Sequence, residues 1–342
     1  MRHLRSFLCP TTHGDRGGTA ILDDVRLGVL DVGSNTVHLV VVDMAPGGPP
    51  TPMSNWKTPM RLVEYLDKDG AITGKGAKKL IKGVGLAREM AEQFHCDELL
   101  PFATSAVRSA TNGEKVLDAV EKETGVRLNI LSGADEAKLT FLAVRRWYGW
   151  SAGRICDLDI GGGSLEMSVG VNEMPDVAES VNLGAGRLTH DWFETDPPKK
   201  KEIKALAEYI DDTLAEPVKL LRDAGPVDLA VGTSKTFRML ARLTGAAPSS
   251  AGPRVRRVLT QAGLRQLTSF ISRMTAADRA ELEGVSADRS HQIVAGALVA
   301  EAAMRHLGIE QLQMCPWALR EGVILRRADA GEGVSGSFRI DD

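Results

Sequence analysis

Residues 158–165 read LDIGGGSL and residues 30–37 read LDVGSNTV, and the two stretches align without a gap. The match continues beyond them, with Leu39 against Met167. Each copy is an apolar stretch ending in aspartate, a turn of glycine and short polar residues, and a second apolar stretch, which predicts two strands joined by a tight turn. One such turn is usually a plain hairpin. Two copies in the two halves of one chain indicate a duplicated functional loop.

These turns are suited to binding an anion. Glycine leaves the backbone N–H groups uncovered, and consecutive N–H groups in a turn form a concave anion site. Short hydroxyl and amide side chains beside them add donors. The candidate phosphate-binding residues are Gly33, Ser34, Asn35 and Thr36 in the first turn and Gly161, Gly162, Gly163 and Ser164 in the second.

Strand-like and helix-like stretches alternate between the glycine-rich ends of the chain, as in an α/β protein. We predict strands at residues 26–31, 37–43, 98–104, 127–131, 154–160 and 165–171. We predict helices at residues 76–95, 113–124, 134–148, 199–224, 234–244, 260–273, 276–283, 289–307 and 317–327. Residues 1–25 and 329–342 are predicted to be a flexible lead-in and tail.

The composition is that of a globular chain with room for two domains: 342 residues, 43% hydrophobic, 25% charged and a net charge of −3. This charge argues against a general nucleic-acid coat, so we expect no nucleic-acid partner. Cys9, Cys96, Cys156 and Cys315 are scattered, which favours reduced thiols over a zinc site. No apolar run reaches the ~18 residues of a membrane helix. We therefore expect a cytoplasmic protein with no membrane partner.

The motifs resemble those of the exopolyphosphatase/guanosine pentaphosphate phosphatase (Ppx/GppA) family, within the actin-like ATPase superfamily. The matching stretches, in the family's order, are residues 31–36 (DVGSNT), 103–108 (ATSAVR), 132–138 (SGADEAK), 159–166 (DIGGGSLE) and 318–322 (ALREG). The resemblance implies an α/β fold of two ribonuclease-H-like (actin-like ATPase) domains with an interdomain cleft, in the family's short, two-domain form. It implies domain I at residues 26–143 plus 318–328, with the C-terminal helix crossing back onto it, and domain II at 144–317.

Two carboxylates flank the second turn and suit a Mg²⁺ ion. Asp159 and Glu166 lie on either side of the glycines, so a hairpin would aim both at one loop. Mg²⁺ prefers such hard oxygen ligands and shares its shell with phosphate and water. Asp31 is the equivalent of Asp159 in the first copy, and we expect it to hold the metal directly or through water.

By the resemblance, Glu136 is the general base that takes a proton from the attacking water, and Arg108 binds phosphate oxygens and stabilises transferring charge. From the residues alone, the stretch 132–136 (SGADE) is an ordinary helix start with acidic residues in its first turn. Asp135, next to Glu136, is the other acidic candidate.

One stretch departs from the family pattern. Residues 230–236 read AVGTSKT, and Lys235 stands where relatives typically have glycine. A long cation there would crowd a nucleoside and suit a linear polyphosphate, unless it points into solvent. Arg254, Arg256 and Arg257 form another basic cluster, which either guides a polyanion or is exposed surface.

These features predict a Mg²⁺-dependent exopolyphosphatase that removes terminal phosphate from inorganic polyphosphate. The alternatives are a guanosine pentaphosphate (pppGpp) 5′-phosphohydrolase, a catalytically silent nucleotide or alarmone sensor, and a kinase-like ATPase of the same superfamily. The sequence leaves open the chain-length preference, the processivity and the oligomeric state, including a homodimer.

Overall fold

A computed structural model describes residues 25–45 and 50–330. Most of the predicted lead-in and tail lies outside these residues. The strands are β1 (Val25–Val32), β2 (Thr36–Met44), β3 (Thr51–Pro59), β4 (Glu98–Ala103), β5 (Asn129–Ile130), β6 (Ile155–Ile160), β7 (Leu165–Gly170), β8 (Val177–Val181), β9 (Leu229–Gly232), β10 (Val258–Thr260) and β11 (Gln311–Met314). The helices are α1 (Gly74–Gln93), α2 (Ser105–Arg108), α3 (Gly113–Thr124), α4 (Gly133–Tyr148), α5 (Ala185–Trp192), α6 (Lys200–Asp223), α7 (Lys235–Leu243), α8 (Gln261–Ile271), α9 (Ala276–Ala280), α10 (Ile293–Leu307) and α11 (Leu319–Asp329).

The strands form two sheets of the same topology. The first has the order β3-β2-β1-β4-β5, and the second has the order β8-β7-β6-β9-β11 with β10 added at its edge. In each sheet the first three strands are an antiparallel meander, and the fourth pairs parallel to the first. This duplication agrees with the two-domain fold that the family resemblance implied. We call the parts built on the first and second sheets domain I and domain II.

The repeated turns have the same backbone hydrogen bond at equivalent positions. The Gly33 amide donates to the Thr36 carbonyl at 3.0 Å, and the Gly161 amide donates to the Ser164 carbonyl at 2.9 Å. Both turns follow a buried first strand and lie at its carboxyl end, where ligands bind in α/β sheets.

Two helices connect the domains. Leu139 of α4 packs with β1 and with Val323 and Ile324 of α11, whereas Phe141 and Val144 of α4 pack on the second sheet. The expected domain boundary at residue 143 therefore falls inside one continuous helix. Helix α11 contacts β1 and α4, so the C-terminal end of the described chain lies against domain I.

The sequence did not predict β3, β8, β9, β10 or β11. β3 carries Pro52 and Pro59, which argue against a central strand, and it lies at the edge of its sheet, where proline is tolerated. Strands β9 and β11 have only four residues each, so their apolar pattern is weak. In the described part of the chain, no helix combines the length and apolarity needed to cross a bilayer.

Candidate active site

A cleft of about 620 Å³ lies between the two domains, and both turns contribute to its wall. Of the predicted phosphate-binding residues, all but Gly163 line it, and so do the four carboxylates Asp31, Glu136, Asp159 and Glu166. Gly163 lies just behind the wall: a Cβ atom there would be 2.5 Å from the Ser105 Oγ. Arg108 is outside the lining as well.

The two turns touch each other across the cleft. A Cβ on Gly162 would lie 2.5 Å from the Asn35 Nδ2 and 2.8 Å from the Ser34 Cβ. Neither Gly162 nor Gly163 has a positive φ, so glycine is needed here for close approach and not for a left-handed backbone. The cleft is therefore closed at this end, where one phosphate group could contact both domains.

Backbone hydrogen bonds from the segment after the third strand of each sheet support the turn on the side away from the cleft. The Met60 and Leu62 amides donate to the Asn35 and Ser34 carbonyls, each at 2.7 Å. In domain II, the amides of residues 185 and 187 donate to the carbonyls of residues 161 and 162, at 3.0 and 2.9 Å. C=O and N–H groups point in opposite directions across a trans peptide, so these bonds turn the next amides of the loops away from the supporting chain.

Asp159 and Glu166 are directly opposite each other in the antiparallel β6–β7 pair, so their side chains share one face. Thr233 donates to the Asp159 Oδ2 at 2.7 Å, and Ser180 donates to the Glu166 Oε1 at 2.9 Å. Burial raises the pKa of both carboxyls, that of Glu166 to about 7 with a further contribution from Asp159. Two acidic groups whose negative charge is unfavourable without a partner suit a cation.

These residues fit a Mg²⁺ ion that is shared with the substrate. Among the described residues, no three His, Cys, Asp or Glu side chains are grouped closely enough to hold a metal by themselves. Mg²⁺ usually takes only one or two carboxylates and completes its shell with water and substrate phosphates. The facing pair Asp159 and Glu166 supplies those two oxygen donors beside a phosphate-type loop.

Glu136 lies in the first turn of α4, is 7% exposed, and forms an ion pair with Arg108. Burial raises the pKa of Glu136 well above its ordinary value, Glu166 raises it further, and Arg108 opposes the rise. The Arg108 guanidinium also donates to the Leu131 carbonyl at 2.6 Å. Arg108 therefore orients Glu136 in this structure, a contact different from the phosphate contact that we predicted.

The residue opposite the aspartate differs between the two hairpins. The register partner of Asp31 is His38, where the second copy has Glu166. Burial, with Arg320 and Lys57 nearby, lowers the pKa of His38 to about 4, so the imidazole is neutral at pH 7. Arg320 of α11 donates to the Asp31 Oδ2 at 3.3 Å. Domain I thus presents one carboxylate bonded to an arginine, whereas domain II presents two carboxylates that face each other.

A model of the Ppx/GppA phosphatase family matches residues 40–330. The chain belongs to this family. It is 64% identical over 306 residues to "Exopolyphosphatase 1" of Mycobacterium tuberculosis, covering 90% of this chain and 89% of that protein. It is 61% identical to the protein of the same name in Mycobacterium leprae, covering 90% of both chains. As a family member, it is a phosphoanhydride-hydrolysing phosphatase.

Solved Ppx/GppA structures have the same fold. An exopolyphosphatase from Cytophaga hutchinsonii superimposes with a TM-score of 0.81 at 23% identity, covering 90% of this chain and 99% of that one. The Aquifex aeolicus Ppx/GppA enzyme gives 0.71 at 24% identity, covering 89% and 99%. These matches confirm the predicted fold of two actin-like domains.

The Ppx/GppA cleft of this chain also has a cationic wall that sequence reasoning largely missed. It consists of Lys57, Lys235, Arg238, Arg289 and Arg320. Lys235, the first residue of α7, was predicted; its Nζ lies 3.7 Å from the Asp288 Oδ1. The other four come from distant segments, and the only sequence signal was that Arg320 lies in the fifth family motif.

The basic cluster at residues 254–257 does not join this wall. The Arg254 guanidinium stacks over Trp147 at 4.3 Å from the ring centroid. Arg257 donates to four backbone carbonyls, including that of Ala247 at 2.9 Å. Arg256 lines a separate cavity in domain II. The cluster is absent from the lining of the active-site cleft.

Proposed function

We propose that this protein is an exopolyphosphatase that removes terminal orthophosphate from inorganic polyphosphate. The observation that carries the proposal is the two-sided cleft, with four carboxylates near the paired loops and, along the wall, five cations and the carboxylate of Asp288. Among the described residues, no Phe, Tyr or Trp side chain lines it, and its apolar lining is limited to Pro59, Ile160, Ala318 and Leu319. Such a surface offers charge to a phosphate chain and little to a nucleobase. The names of the mycobacterial relatives agree with this substrate.

The reaction is a hydrolysis assisted by Glu136. The Glu136 carboxylate accepts a proton from a water whose oxygen attacks the terminal phosphorus. The bond from that phosphorus to the bridging oxygen breaks, and the bridging oxygen leaves with the shortened chain. Orthophosphate is the other product, and Glu136 returns its proton to solvent. The loop amides and the cationic wall stabilise negative charge on the phosphoryl oxygens.

We assign Mg²⁺ binding to Asp159 and Glu166, with Asp31 opposite them in domain I. Bound there, the metal would neutralise charge on the transferring phosphate. Glu166 is fixed by Ser180 and Asp159 by Thr233, so both carboxylates are oriented before any metal arrives. That preorganisation lowers the entropic cost of binding.

Product analysis tests this proposal against its rivals. Terminal hydrolysis predicts that orthophosphate is the only short product from the earliest time points, in Mg²⁺ and not in EDTA. A silent sensor would bind polyphosphate or nucleotide and release nothing. Release of mid-sized fragments from long chains, or full activity in EDTA, would contradict the proposal.

A further inference from the structure

Arg187 is a positively charged side chain behind the cleft that the mechanism above does not use. It lies in the first turn of α5 and does not line the cleft. Its Nε donates to the Gly163 carbonyl at 3.2 Å, and its Nη2 donates to the Ser109 Oγ at 2.5 Å. Gly163 belongs to the domain II loop, whereas Ser109 caps α2 in domain I. A single guanidinium thus bonds to both sides of the closed cleft.

The bond to Gly163 completes the support of the domain II loop. The carbonyls of Gly161 and Gly162 are held by backbone amides of the same segment, including that of Arg187 itself. The Gly163 carbonyl is held by the Arg187 side chain. Across the trans peptide, this bond directs the Ser164 amide away from Arg187, as the other two bonds direct the amides of Gly162 and Gly163. Three consecutive donors are therefore oriented by one segment.

The bond to Ser109 links Arg187 to Glu136, the proposed general base, through α2. The Ser109 hydroxyl donates to the Ser105 carbonyl at 2.7 Å, within the single turn of α2. Arg108 of that turn forms the ion pair with Glu136. Loss of the Arg187 bond would thus loosen the helix that carries the partner of Glu136.

We propose that Arg187 is a positioning residue that holds the domain II phosphate loop in register with α2 and, through Arg108, with Glu136. The inference rests on the proposed function, because it concerns the geometry of the same reaction. Misplacing reacting groups by about 1 Å can cost on the order of a hundredfold in rate. The effect should fall on kcat, since the cationic wall that binds the rest of the substrate is untouched.

The test compares Arg187→Ala, Arg187→Lys, Ser109→Ala and the double variant Arg187→Ala/Ser109→Ala. We expect kcat to fall by about tenfold to a hundredfold in Arg187→Ala, with KM changed by less than about threefold. Lysine can make one of the two bonds, so Arg187→Lys should recover part of the loss. The double variant should lose little more than Arg187→Ala alone, because the two residues act through one contact. The control is Arg305→Ala, which removes a surface ion pair with Asp211.

Activity of the unmodified protein is measured first on polyphosphate, pppGpp and ATP, and the variants are compared on whichever is hydrolysed. If the proposed function is wrong, the unmodified protein does not hydrolyse polyphosphate. If this inference is wrong, the kcat of the variants relative to the unmodified protein does not follow the expected pattern. Arg187→Ala that keeps more than half of kcat overturns the inference, and so do losses that add fully in the double variant. If Arg187→Ala does not fold, Arg187→Lys and Ser109→Ala decide: unchanged kcat in both overturns it.

Discussion

Glu136 and Asp135 are adjacent carboxylates in the first turn of α4 with different surroundings. Asp135 accepts a hydrogen bond from the Ser132 hydroxyl at 2.5 Å and pairs with Lys138 at 3.3 Å, so its carboxylate already has partners at the start of the helix. Glu136 lines the cleft and pairs with Arg108. Neighbouring residues of a helix point in different directions, and of these two only Glu136 lines the cleft.

The first prediction is that Glu136→Gln lowers kcat by about 10²–10⁴, the usual contribution of a general base. Glutamine preserves the size of the side chain but cannot take the proton. Steady-state phosphate release measures the loss, and direct binding should show that affinity is retained. Asp135→Asn is the matched control, with a clearly smaller effect. A variant that keeps more than about a tenth of kcat, or a more damaging Asp135→Asn, would exclude Glu136 as the base.

The second prediction concerns pH and metal. Burial raises the pKa of Glu166 to about 7, so the metal-free carboxyl gains a proton as the pH falls through 7. A protonated ligand must lose its proton to bind a metal. The Mg²⁺ concentration for half-maximal activity should therefore rise as the pH falls from 8 to 6, by up to about tenfold per unit below the pKa. Titrations of Mg²⁺ at fixed pH values check it; a requirement that does not change over this range would refute the assignment of Glu166.

At the scale of the elements, the two loops form one site because glycine lets them touch. The third prediction is that Gly162→Ala lowers kcat/KM at least about tenfold, since its Cβ would lie 2.5 Å from the Asn35 Nδ2. The control is Gly161→Ala, whose Cβ would meet its nearest atom, the Ser164 carbonyl oxygen, at 3.4 Å. We expect a smaller loss there and similar thermal unfolding for both. Equal kcat/KM of the two variants would show that close contact between the two loops is not needed for activity.

The sequence predicted the elements that a strong local pattern encodes. The helix expected at 113–124 is α3 in full, and the two hairpins at the repeat are in place. The helix expected from residue 289 begins at Ile293, because residues 289–292 form turns that place Arg289 in the cleft wall. Short strands such as β9 were not predicted. A strand of four residues that pairs with an existing sheet can form without a recognisable alternation of apolar and polar residues.

At the scale of the whole molecule, α11 closes the fold by packing on α4. The fourth prediction is that Gly322→Ala lowers the free energy of unfolding by about 1–3 kcal/mol, because its Cβ would lie 2.0 Å from the Leu139 carbonyl oxygen. Gly85→Ala in α1 is the control, since its Cβ would meet only the Thr124 Cγ2, at 3.8 Å. Denaturant unfolding compares them. If both variants are equally stable, close packing of α11 on α4 does not contribute to the stability of the fold.

The site was predictable where residues are neighbours in sequence and unpredictable where they are not. Asp159 and Glu166 could be paired because one short hairpin contains both. Arg187 and Arg238 could not, because their positions depend on how α5 and α7 pack on the second sheet. Arg108 lies close to its expected place, but its partner in this structure is Glu136, and its contact with phosphate stays a prediction.

We propose that the cleft accommodates a bare phosphate chain in preference to a nucleotide. The most direct measurement is kcat/KM for phosphate release from polyphosphates of several lengths, from pppGpp and from ATP, at equal Mg²⁺. The cationic wall, and the lack of Phe, Tyr and Trp in the lining among the described residues, predict the highest value for polyphosphate. Lys235→Gly should shift the ratio towards pppGpp. A tenfold or greater preference of the unmodified protein for pppGpp or ATP would show that the cleft does not favour a bare phosphate chain.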